Sequence, residues 1–112
     1  MDSCFLSQQY EFVQRITEQM LAESALNNWQ RVYELDQQRA QVLANMSTDE
    51  VKQTLTSLDF ATAEKIRQCI QTVLSSNSVL VARAEQEKSN TQAGIHSTAV
   101  AARLNRTYSS SF

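Results

Sequence analysis

A chain of 112 residues is one domain's worth of material, and one glycine, no proline, 7% aromatic and 42% apolar residues exclude a turn-rich β fold and leave all-α as the expected class. The formal net charge of −2 hides a gradient: residues 1–87 hold all twelve acids against seven bases, whereas Lys88, Arg103 and Arg106 stand in an acid-free 88–112. An acidic body repels phosphate, so direct nucleic-acid binding is not expected.

From Phe5 to Leu21, apolar residues at Phe5, Leu6, Phe12, Val13, Ile16, Met20 and Leu21 fill nearly half a helical circumference. The pattern predicts a buried first helix with Ser3 as its N-cap. Asn27 and Asn28 interrupt the pattern and suit an N-cap for a second helix running from Trp29 to Met46, antiparallel to the first. Ser47 and Glu50 have capping-box spacing, predicting a short connecting helix near 49–57. Asp59 then caps a long third helix over 60–84, whose face carries Ala63, Ile66, Ile70, Val73, Leu74, Leu80, Val81 and Ala84, with Asn77 in its middle.

The stretch "EQEKSNTQAG" after Ala84 is polar all round, so the helix projects into solvent or frays there. Residues 94–112 are expected to form a mobile or weakly helical tail, amphipathic through Ile95, Val100 and Leu104 and ending near Tyr108. The expected architecture is an antiparallel three-helix bundle over 1–93, made of a helical hairpin and a long third helix, with that tail loosely docked.

The second helix has more apolar surface than one neighbour covers. Trp29, Val32, Tyr33, Asp36 and Arg39, with Ile70, Val73, Asn77 and Leu80 from the third helix, form the candidate partner-binding surface, although complete coverage by the third helix explains the same pattern. Asp36 and Arg39, spaced i, i+3, would cost much to bury, which marks this face as a partly wet boundary. They read either as an ordinary solvated pair or as a polar clamp on a bound helix. Asn77 reads as a second clamp or as a core residue that sets register. On the partner-binding reading, replacing Trp29 with alanine abolishes binding with limited loss of helicity.

Catalytic patterns are missing. His96 stands alone in the tail, one glycine cannot cradle a phosphate, and HExxH, GxSxG and EF-hand spacings do not occur. Cys69 lies on an apolar face, where a small core residue is the ordinary reading, and Cys4 and Cys69 form no CxxC pair. Two reduced thiols, no metal and no cofactor are expected. No stretch reaches the length of a membrane span and the N-terminus has no leader pattern, so a cytoplasmic location without membrane insertion is expected.

The stretch "ALNNWQRVYELDQQRAQVL", with Ala25, Trp29, Val32, Leu35, Arg39 and Leu43 at these intervals, resembles the second helix of the FliT-type flagellar export chaperones. The closing "AARLNRTYSSSF", with Tyr108, also resembles the end of that family. The resemblance implies a type III secretion chaperone, without enzymatic activity, for the C-terminal segment of the filament cap protein. It further implies the export ATPase complex and the flagellar master transcriptional activator as partners, and a C-terminal helix that can lie over the binding surface. A self-associating helical bundle, a homodimer through the same apolar arc, is the alternative from another class.

Overall fold

The structure is a computed structural model and describes residues 3–88. Four helices follow in order: α1 (Ser3–Ala25), α2 (Trp29–Asn45), α3 (Asp49–Thr56) and α4 (Phe60–Lys88), with no strand among the described residues. The fold is all-α, as the composition predicts. The expected tail, with Ile95, Val100, Leu104 and Tyr108, lies outside the described residues, and α4 continues past Ala84 to Lys88.

One stripe on each long helix turns inward because buried residues recur in steps of three and four. On α1 these are Leu6, Tyr10, Val13, Thr17, Met20 and Ser24. On α2 they are Val32, Asp36, Arg39 and Leu43, and on α4 Ile66, Cys69, Val73, Asn77, Leu80 and Ala84. At one end Lys65 Nζ pairs with Glu11 Oε1 at 2.6 Å. At the other, Arg83 Nη1 donates to Ser24 Oγ at 2.8 Å. Therefore α1 and α4 run parallel and α2 antiparallel to both. Both pack along α1, while backbone contact between α2 and α4 is sparse.

The joints differ in detail from the sequence reading. Asn27 does not cap α2; it closes α1 in the left-handed region at φ 58. There Asn27 N–H donates to Ser24 O at 3.1 Å and Asn28 N–H to Glu23 O at 3.0 Å, the paired bonds of a Schellman turn. Asparagine is one of the few residues that tolerate this backbone. Asn28 occupies the N-cap position of α2 without a side-chain cap bond, because its Nδ2 donates to Glu23 Oε2 at 2.7 Å.

Before α3 the cap is Thr48, whose Oγ1 accepts from Val51 N–H at 3.3 Å. Ser47 is instead turned back, donating to Leu43 O at 3.0 Å. Asp59 caps α4 as expected, accepting from Thr62 N–H at 3.2 Å, and the bonds from Thr62 hold its carboxyl below the usual range. The helix begins at Ser3 itself, the residue expected as the first cap.

Candidate functional site

Two apolar clusters fill the bundle. The first joins Leu6, Tyr10, Val13, Leu43, Met46, Val51, Ile66, Cys69 and Val73. The second joins Ile16, Met20, Trp29, Val32, Leu35, Leu80 and Ala84. Between them lies a polar layer to which every long helix contributes: Thr17 from α1, Asp36 and Arg39 from α2, and Asn77 from α4.

Arg39 is the hub. Its Nη1 donates to Thr17 Oγ1 at 2.9 Å. Its Nη2 donates to Asp36 Oδ1 and to Asn77 Oδ1, both at 3.1 Å. The Thr17 hydroxyl spends its own proton on Val13 O at 2.8 Å, which leaves its lone pairs facing the guanidinium. The side chains of Asp36 and Arg39 are both 0% exposed. Neither the wet boundary nor the solvated pair expected from the sequence exists: a planar guanidinium with several acceptors around it can be buried where an isolated ion cannot.

The expected open arc is corrected in the same way. Trp29 is 4% exposed, Val73 1%, Asn77 6%, and Val32 and Leu80 0%. Trp29, Val32 and Leu80 share the second cluster, with Tyr33 half-buried against it. Val73 belongs to the first, with Ile70 half-buried against it. Seven of the nine candidate residues are thus buried inside the bundle, and Tyr33 and Ile70 lie half-buried against it. Their apolar surface is taken up by the two clusters, to which α1, α2 and α4 all contribute.

Thr17 was missed; a hydroxyl flanked by Val13, Ile16 and Met20 on the inward face of α1 is the signal that could have found it. The exposed apolar surface also lies elsewhere. Phe5 and Phe12, read as buried, are 47% and 40% exposed, and Phe60 and Leu26 are 81% and 75% exposed. Arg15 lies over the Phe12 ring at 5.8 Å from its centroid.

An open depression of about 400 Å³ at the far end of the bundle is lined by Ser24, Trp29, Arg83, Gln86 and Glu87, among others. Arg83 reaches over the C-terminus of α1, donating to Leu21 O at 3.2 Å as well as to Ser24, a favourable place for a cation. Burial pushes the Cys69 thiol up, which makes it a poor nucleophile. Among the described residues no group of three or more His, Cys, Asp or Glu is placed to hold a metal ion, and no helix is long and apolar enough to cross a membrane.

A family model described as flagellar protein FliT matches residues 7–110. No curated protein and no solved structure matches the chain.

Proposed function

The chain belongs to the FliT family of flagellar chaperones, and from that premise we propose that it binds the C-terminal amphipathic segment of the filament cap protein in the cytoplasm and keeps it competent for export. The observation that carries this reading is the family match over 7–110, nearly the whole chain. Binding and release, without bond chemistry, are then its entire activity.

Helix-in-groove capture is the physical route. The proposed groove is the α2–α4 seam, bounded by Trp29, Val32, Tyr33, Asp36 and Arg39 on α2 and by Ile70, Val73, Asn77 and Leu80 on α4. In the resting chain most of these residues are buried, so the client helix has to part α2 and α4, whose backbones approach each other less than either approaches α1. Each aliphatic anchor it buries contributes about 1.5–3 kcal/mol before ordering costs. A few anchors reach the roughly 8 kcal/mol of micromolar binding.

Ile95, Val100, Leu104 and Tyr108 are proposed as a regulatory cover for this seam. The export ATPase complex and the flagellar master activator are proposed as further partners, meeting the surface outside the seam where Phe5 and Phe12 are exposed.

Calorimetric titration of the full chain with a peptide spanning the cap protein's C-terminal segment tests the reading. Saturable one-to-one binding near micromolar is expected. A well-folded chain that releases no heat and fails to co-purify with the segment would remove it, and a tight homodimer indifferent to the segment would favour self-association.

A further inference from the structure

The depression of about 400 Å³ lies where α2 begins and α4 ends, at one mouth of the seam, and Trp29 and Arg83 both stand in its wall. Each brings a donor that the bundle does not use. Trp29 is 4% exposed, yet its Nε1–H has no acceptor among the described residues. Arg83 spends one nitrogen, Nη1, on Leu21 O and Ser24 Oγ. Those two bonds pin the guanidinium, whose Nε and Nη2 have no partner among the described residues. The start of α2 adds to this set: its N-cap residue Asn28 makes no side-chain cap bond and its first turn holds no acid, so no side chain covers the positive end of the helix dipole.

An unused indole N–H, a pinned guanidinium with free nitrogens and an uncapped helix start share one preference, an oxygen acceptor that carries negative charge. Glu87, also in the wall, opposes a small free anion there by like-charge repulsion. The acceptor therefore has to be carried in by something held through other contacts, and a helix whose apolar side chains enter the seam supplies them. The end of a helix that brings negative charge is its C-terminus, where the last carbonyls are unpaired and the α-carboxylate follows.

We propose that this depression receives the free α-carboxylate of the captured helix, held by the Arg83 guanidinium and the Trp29 indole N–H. The inference rests on the client-capture reading above and deepens it. The client helix then lies antiparallel to α2 and parallel to α4, with its last turn against the uncapped start of α2. The chain reads the end of the client as well as its apolar face, and the same segment placed inside a longer chain is bound less well.

The test titrates the client peptide, once with a free C-terminal carboxylate and once amidated, into the unchanged full chain, Arg83→Gln and Trp29→Phe, each with its helicity verified. Amidation is expected to weaken binding to the unchanged chain by about tenfold, the usual worth of a hydrogen bond to a charged group. In Arg83→Gln the amidated peptide is expected to bind as well as the acid or better, because amidation also removes a charge that frays the peptide helix. In Trp29→Phe the ratio of acid to amide affinity is expected to fall between those two. No loss on amidation in the unchanged chain, or an equal loss in Arg83→Gln, overturns the carboxylate site while client capture stands. A Trp29→Phe ratio equal to that of the unchanged chain overturns the part given to the indole. Failure of both peptides to bind the unchanged chain removes the capture reading and this inference together.

Discussion

Replacing Arg39 with alanine is expected to lower the unfolding free energy by about 3–5 kcal/mol, the usual consequence of breaking a buried ion pair from one side. The Asp36 carboxylate, 0% exposed, would lose the guanidinium that justifies its charge, and Thr17 and Asn77 would lose a shared donor. Small domains are stable by about 5–15 kcal/mol in all, so such a loss takes a large share. At roughly 4–8 °C per kcal/mol for a domain of this size, the melting temperature falls by well over ten degrees. The triple variant D36L/R39M/N77L is expected to be neutral or more stable by about 1–4 kcal/mol, because it removes the desolvation cost along with the bonds. Urea unfolding measures both. A loss under about 1 kcal/mol for Arg39→Ala would mean that water reaches the pair and that the layer is not dry.

Trp29→Ala is expected to cost about 3–5 kcal/mol, reversing the expectation drawn from the sequence. At 4% exposure the ring is enclosed with Ile16, Met20, Leu80 and Ala84, and deleting it opens a cavity that these residues refill only in part. Loss of client binding by this variant would therefore report loss of the bundle. Trp29→Phe separates the two roles. The indole Nε1 finds no hydrogen-bond partner among the described residues, so phenylalanine gives up volume and no bond. Its cost is expected to stay below about 1.5 kcal/mol. Thermal unfolding of both variants checks the ordering, and equal stability of Trp29→Ala and the parent would place the ring at the surface.

The long elements were legible because periodicity is a local property. The recurrence of Ile66, Ile70, Val73, Leu80 and Ala84 at intervals of four, three, seven and four specifies a helix and its inward face without reference to anything else. Caps were legible to within a residue: adjacent Ser47 and Thr48 offer the same hydroxyl, and only the path of the chain chooses Thr48. Asn27 and Asn28 could not be told apart in sequence because a left-handed closure of α1 and an N-cap of α2 call for the same residue type at adjacent positions.

The central layer was not legible. Asp36 and Arg39 on a helix look the same whether wet or dry, and the difference lies with Thr17 and Asn77, which are 22 and 38 residues from Arg39 in sequence. Phe5 and Phe12 show the opposite limit: aromatic residues at helical spacing predict an inward face, yet the inward stripe of α1 is set by Leu6, Val13 and Thr17, and the two rings lie outside it.

Entry of a client between α2 and α4 presupposes a seam that is closed at rest, and the lone tryptophan stands on it. Collisional quenching of Trp29 fluorescence by acrylamide in the full chain is the most direct measurement. Weak quenching and blue-shifted emission are predicted for the chain without client. Quenching as efficient as that of the urea-unfolded chain would contradict the closed seam, and with it the buried layer around Arg39.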